Sequence, residues 1–285
     1  MKSERKNIVW IASYPKSGNT WFRIFLQNLL SESDKPISIN NISSIPIASN
    51  RDIFDNILCI NSSDLTSDEI NILRPEVYKQ LAKNHNDLLF IKVHDSWQRN
   101  SKRQPIFPPN VTLGVIYIIR NPFDVAISYA KHSNISVRKS IANLNNSSFK
   151  ISGSPIKLHP QLLQYIGSWS DHVTSWIDNS KLPTHIVRYE DLISEPYRTF
   201  NNALLFLGLK FKKAKVVKAI EHCKFSELQK QEQEEGFKEK PINSTLFFRE
   251  GKVSSREMLK RSELYTIITS HHKKTMRRFG YFVGG

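Results

Sequence analysis

Four short segments of the chain, residues 8–12, 88–93, 113–119 and 184–188, are runs of apolar and β-branched residues without polar alternation. Strands buried on both faces read this way, as in parallel sheets, whereas a strand with one wet face alternates. Helix-start chemistry follows at least three of them. After the first come Asn19 and Thr20, then Phe22, Phe25, Leu26 and Leu29 at helical spacing. After the third, Asn121-Pro122-Phe123-Asp124 places Asn at the N-cap, Pro at the first helical position and an acid at the positive end of the dipole. After the fourth, Glu190-Asp191-Leu192 leads to Pro196, and Phe200, Leu204, Leu205 and Leu207 keep helical spacing up to Gly208. Strands alternating with helices predict an α/β fold with a mainly parallel central sheet flanked by helices. Ligands of such sheets sit at the carboxyl ends of the strands, here just after Ala12, Val93, Ile119 and Arg188.

Tyr165, Trp169, Val173 and Trp176 share one face of a predicted helix and are read as core. Residues 31–50 and 139–157, rich in Ser, Asn, Ile and Pro without a clear period, read as long surface loops. Residues 230–240 are charge-dense and read as a solvated helix end or a lid. With no internal repeat or linker, residues 1–285 are expected to form a single domain.

Composition narrows the class. With 39% hydrophobic and 24% charged residues the chain is an ordinary globular protein. Its two cysteines, Cys59 and Cys223, are too few for a disulfide framework or a zinc cluster, which makes a reducing, cytoplasmic setting the expectation. The apolar run at 8–12 is far too short for a signal sequence or a membrane span, so no membrane partner is expected. A net charge of +15 fits a polyanionic ligand, but no nucleic-acid-binding motif accompanies it, so no nucleic-acid partner is expected.

The strongest chemical signal is the strand–loop–helix segment Ser13-Tyr14-Pro15-Lys16-Ser17-Gly18-Asn19-Thr20-Trp21. Backbone N–H groups at a helix N-terminus cradle phosphate, Gly18 permits close approach, and Lys16 supplies a point charge. The lysine precedes the glycine, so this P-loop-like loop is not a Walker A sequence. Arg120 ends the third strand and Ser128 lies about two turns into the next helix, where both could meet one phosphate; an ion pair of Arg120 with Asp124 or Glu190 is the alternative. Lys92 and His94 end the second strand on one side, and an imidazole there suits removal of a hydroxyl proton. His132, His271 and His272 have no comparable context.

The loop Tyr14-Pro15-Lys16-Ser17-Gly18-Asn19-Thr20-Trp21 resembles the 5′-phosphosulfate loop of cytosolic-type sulfotransferases, which use 3′-phosphoadenylyl sulfate (PAPS), with Asn19 the one departure. The resemblance runs from Val9 to about Gly251. It implies that Lys16, Ser17, Gly18, Asn19, Thr20 and Trp21 bind the donor and that Arg120 and Ser128 hold its 3′-phosphate. It also implies that Lys92 and His94 lie in the family's Lys-x-His context, His94 as base. Adenine would fall to Trp21, Tyr189 and Phe225, each of which could equally be core, and Tyr189 or Phe225 taken alone reads rather as core. Phe247-Phe248-Arg249-Glu250-Gly251 is similar to the family's closing loop, so that Phe248, Arg249 and Gly251 would complete the donor site; Glu250, Ser254 and Arg256 depart from its pattern, as does Cys223 beside Phe225. The implied reaction is in-line transfer of a sulfuryl group from PAPS to a hydroxyl or amine of a small-molecule acceptor, releasing PAP without a metal. The Trp10-Ile11-Ala12-Ser13-Tyr14-Pro15-Lys16 opening looks closest to bacterial enzymes that decorate natural products. The competing readings are a P-loop-like nucleotide kinase, which would need Walker A order and carboxylates for Mg²⁺, and a basic non-catalytic nucleic-acid binder. Acceptor identity and oligomeric state stay open at this level.

Overall fold

A computed structural model describes residues 5–153, 158–240, 246–248 and 263–282. The chain divides into two compact units that alternate along the sequence. Unit 1 comprises Met1–Tyr14, Ile45–Tyr117 and Asn146–Ile186, and unit 2 comprises Pro15–Ser44, Ile118–Asn145 and Val187–Gly285.

Unit 1 is built on the sheet. Strands β1 (Ile8–Ser13), β2 (Leu89–Val93), β3 (Thr112–Ile119) and β6 (Thr184–Arg188) lie in the order β2-β1-β3-β6. The four apolar runs of the sequence therefore form the sheet, with ends shifted by at most one residue. Every residue of β1 and β2 is buried, which is why neither alternates. β1 and β2 are parallel, with Ile8 opposite Leu89 and Ala12 opposite Val93. The unit boundaries follow Tyr14 and fall inside β3 and β6. Because the chain leaves β1 for β2 on one side and β3 lies on the other, the end of β1 is a topological switch point.

Around this sheet, unit 1 carries helices α2 (Arg51–Leu58) and α3 (Ser67–Asn84), the latter started by a reciprocal Thr66/Glu69 capping box. It also holds a small antiparallel pair, β4 (Lys150–Ile151) with β5 (Gln164–Tyr165). Helix α6 (Trp169–Thr174) runs on into a π-helical turn, Ser175–Asn179. Trp169, Val173 and Trp176 are buried, as their spacing predicts, but Tyr165 belongs to β5 and is not on their helix.

Unit 2 is helical: α1 (Asn19–Leu30), α4 (Pro122–Ser133), α5 (Val137–Asn145), α7 (Tyr189–Ser194), α8 (Pro196–Phe206), α9 (Lys213–His222), α10 (Phe225–Glu235) and α11 (Glu263–Arg278). Phe22, Phe25, Leu26 and Leu29 of α1 are buried, and Phe25 stacks on Phe200 of α8 at 3.8 Å between centroids. Full burial of each such side chain is worth about 1.5–3 kcal/mol.

Three sequence expectations need correction. Residues 31–50 contain a 3₁₀ helix, Ile39–Ser44, whose Ile39 and Ile42 are buried, so the segment is partly core. Residues 139–145 belong to α5, with Ser140, Ile141 and Leu144 buried, while 154–157 lie outside the described residues. Residues 230–235 finish α10, where Gln231 and Glu232 are buried and not solvated; Gly236, at φ 72°, ends the helix. In each case tertiary partners make a period-poor or charged stretch part of the interior.

Candidate active site

In unit 2 the loop after β1 turns through two left-handed residues, Lys16 (φ 70°) and Gly18 (φ 104°). Gly18 is the N-cap of α1, and the first helical bond runs from the Phe22 N–H to the Gly18 carbonyl. The N–H groups ahead of that bond lie outside the helical ladder, at the positive end of the dipole. Gly18 also lies against Tyr189, where an added Cβ would sit 2.6 Å from ring carbon Cδ2. Ser17 is fully buried, and its Oγ has no hydrogen-bond partner among the described residues. A cradle that only glycine fits, with a buried hydroxyl left over, suits a phosphate-bearing nucleotide.

Arg120 closes the other side of this loop. Its Nη1 donates to the Lys16 carbonyl at 3.0 Å, and its guanidinium lies 4.1 Å from the centroid of the Tyr189 ring. Asn121 caps α4, accepting from the Phe123 N–H, and its own N–H donates to Glu190 at 3.0 Å. Glu190 also accepts from the Tyr281 hydroxyl at 2.8 Å. Burial raises the Glu190 carboxyl above its ordinary range, against the pull of these donors and of Arg188. Ser128 lies on the second turn of α4 and is half-buried.

The aromatic residues assigned to adenine cluster. Trp21 meets Tyr189 at 5.8 Å and Phe225 at 5.2 Å, both edge-on, and its indole N–H donates to the Cys223 carbonyl at 2.8 Å. Cys223 thus acts through its backbone, and burial pushes its thiol up to about 12.

His132 has no context in the sequence, but the structure places its Nδ1 3.2 Å from Lys16 Nζ. His132 is four residues beyond Ser128, hence on the same face of α4, a spacing that was available as a signal. Phe247 completes this surrounding, its ring centroid 4.2 Å from Lys16 Nζ. Phe247 and Phe248 are held by Glu232, 3% exposed, whose carboxylate accepts from their N–H groups at 2.6 and 2.8 Å. Phe248 itself is buried against Phe237 and Phe247. Arg249 and Gly251 lie outside the described residues, as do Glu250, Ser254 and Arg256.

In unit 1, Lys92 is the fourth residue of β2 and only 8% exposed. His94 follows the strand directly. The β1–β2 register, continued by one step, sets it beside Ser13, and His94 Nδ1 lies 2.9 Å from the Ser13 carbonyl. A carbonyl only accepts, so Nδ1 carries the proton and Nε2 carries the lone pair of the neutral ring. Asp95, next in the chain, receives a buried two-pronged ion pair from Arg74 at 2.8 and 2.9 Å.

Comparison with known proteins identifies the family. The Sulfotransferase domain family matches residues 6–280, running through both units. The chain is 26% identical over 229 residues to Sulfotransferase 1E1 of Rattus norvegicus, covering 79% of this chain and 67% of that protein. It is 24% identical over 229 residues to Luciferin sulfotransferase of Photinus pyralis, covering 79% and 57%. Over 270 residues it is 27% identical to Cytosolic sulfotransferase 15 of Arabidopsis thaliana, covering 87% and 66%. The chain thus spans between 57% and 67% of the length of these relatives. In fold it is similar to mouse sulfotransferase SULT7A1 complexed with PAP (TM-score 0.60, 19% identity, covering 98% of this chain and 90% of that one). It is also similar to retinol dehydratase in complex with androsterone and inactive cofactor PAP (TM-score 0.61, 16% identity, covering 96% and 81%). The chain belongs to the sulfotransferase domain family.

Proposed function

We propose that this chain is a PAPS-dependent sulfotransferase acting on a hydroxyl or amine of a small-molecule acceptor, with residues 1–285 forming one catalytic domain. The observation that carries the reading is the donor cradle: Gly18 closed by Tyr189, the buried Ser17 hydroxyl, and Arg120 bonded to the loop at Lys16. In it, Ser17 to Trp21 take the 5′-phosphosulfate, Arg120 and Ser128 the 3′-phosphate, and Trp21, Tyr189 and Phe225 the adenine. Phe248, Arg249 and Gly251 are assigned to the donor by sequence resemblance.

The step is an in-line displacement. The acceptor proton passes to His94 Nε2, an acceptor–sulfur bond forms, and the bond from sulfur to the bridging oxygen breaks, leaving PAP with that electron pair. Lys16 neutralises the charge growing on the bridging oxygen, and Lys92 that on the sulfuryl oxygens. Lysines and backbone donors fill the charge-neutralising role, so the reading calls for no metal.

Natural-product acceptors are proposed on the likeness of the Trp10–Lys16 stretch to bacterial enzymes of that kind, and a small acceptor on the luciferin named for one relative. A cytoplasmic location is supported by two free cysteines and by the cytosolic designation of another relative. Among the described residues no helix is long and apolar enough to cross a membrane.

Two measurements test the proposal. Calorimetric titration with PAP, ATP and an oligonucleotide should show PAP binding tightest; tighter ATP binding would favour a nucleotide kinase, and tighter oligonucleotide binding a nucleic-acid protein. Labelled PAPS screened against alcohols, phenols and amines should then label an acceptor class, and His94→Ala should lower that turnover by about two to four orders of magnitude with PAP affinity kept.

A further inference from the structure

The segment that carries His94 is held by its backbone, largely from a single helix. His172 Nε2 lies 3.0 Å from the His94 carbonyl, and the Trp176 indole N–H donates to the Asp95 carbonyl at 2.9 Å. Ser175 Oγ accepts from the Trp97 N–H at 3.0 Å and donates to the His172 carbonyl at 2.8 Å. Between them, the Ser96 N–H donates to the Tyr165 carbonyl at 2.7 Å. Residues 94–97 therefore each have one backbone group fixed, three of them by α6 and its π-helical turn. Ser175 and Trp176 lie in the π-helical turn and hold residues 97 and 95, while His172 of α6 holds residue 94; such turns inside helices recur at functional sites.

Within this framework His172 has an unusual position. It is fully buried in an otherwise apolar stripe, three residues after Trp169 and one before Val173. Both ring nitrogens are used, Nε2 on the His94 carbonyl and Nδ1 on the Tyr117 hydroxyl at 2.8 Å. The carbonyl can only accept, so Nε2 carries the proton and Nδ1 takes the Tyr117 O–H. Burial lowers the His172 pKa to about 4 and keeps the ring neutral, so it holds this one tautomer.

We propose that His172 is a positioning residue for His94: the chain Tyr117 O–H, His172 ring, His94 carbonyl fixes the backbone from which His94 presents Nδ1 to Ser13, with Nε2 serving as the base. The proposal rests on the reading of His94 as the base. A base displaced by a fraction of an ångström loses its reach to the acceptor proton, so the framework acts on the chemical step and not on donor binding.

The test uses two substitutions at His172 and one behind it. His172→Phe fills the space without a donor, whereas His172→Gln returns an amide N–H toward the His94 carbonyl. With PAPS and acceptor saturating, His172→Phe should lower kcat about 10–100-fold, the usual scale for residues that orient a functional group. Its pH profile should shift, PAP affinity should stay at the wild-type value, and His172→Gln should recover most of the loss. Tyr117→Phe, which removes only a hydroxyl, is the milder variant should His172→Phe not fold, and should lower kcat about fivefold. Wild-type kcat and pH profile in folded His172→Phe, or in Tyr117→Phe should that variant not fold, would overturn the proposal, as would a glutamine variant no better than phenylalanine. The ¹⁵N shifts of the His94 ring separate this failure from failure of the base reading. They should report a single Nδ1–H tautomer in the wild type and a mixture in His172→Phe, even if His94→Ala retained turnover; an unchanged tautomer would overturn the positioning role by itself.

Discussion

Lys16 Nζ sits 3.2 Å from His132 Nδ1, which places an imidazole beside the ammonium assigned to the leaving group. The contact with His132 and the π-face of Phe247 together orient this ammonium. His132 on α4 and Phe247, tied to Glu232 of α10, reach the same lysine from separate elements. His132→Ala should therefore lower kcat/KM for PAPS about tenfold, the worth of a bond to a charged group, without unfolding the protein. Initial-rate kinetics with a melting curve check this.

Gly18 meets two demands at once, a left-handed φ of 104° and contact with the Tyr189 ring. Gly18→Ala violates both, and PAP affinity is expected to fall at least tenfold with a lower melting temperature. Pairing it with Tyr189→Ala relieves the clash but not the backbone strain, so only partial recovery is expected by calorimetry.

Arg120 is assigned to the 3′-phosphate, so its removal should discriminate between ligands. Arg120→Ala should weaken PAP binding by about 10–100-fold, as for a charge-assisted hydrogen bond, and leave 5′-AMP binding nearly unchanged. Equal losses for both nucleotides would assign Arg120 to the loop through its bond to the Lys16 carbonyl.

Acid stability should report on His172. Its folded pKa, about 4, lies below the ordinary histidine value of about 6.5, so the unfolded chain binds the extra proton between them. The stability from the neutral buried ring is complete above about pH 6.5 and is lost as pH falls toward 4. His172→Gln should flatten this slope in urea titrations across that window. Glu190 works in the opposite sense: its raised pKa makes stability fall as pH rises above the ordinary carboxylate range, and Glu190→Gln should remove that decline.

The sequence by itself determined the sheet and the residues at its carboxyl edge. Short runs of apolar and β-branched residues bounded by turn and helix-start signals read as strands, and Lys16, His94, Arg120 and Tyr189 each follow such a run within a few positions. The cap of α4 was equally legible, because Asn121-Pro122 is local chemistry. Contacts between residues distant in sequence were not. His132 meets Lys16 across 116 positions, and His172 meets the His94 carbonyl across 78. Glu232 holds Phe247 although its neighbours in the chain read as a solvated, charged helix end. Periodicity reports which face of an element is apolar, but a buried polar group is decided by its partner, and that partner is supplied only when the chain folds back on itself.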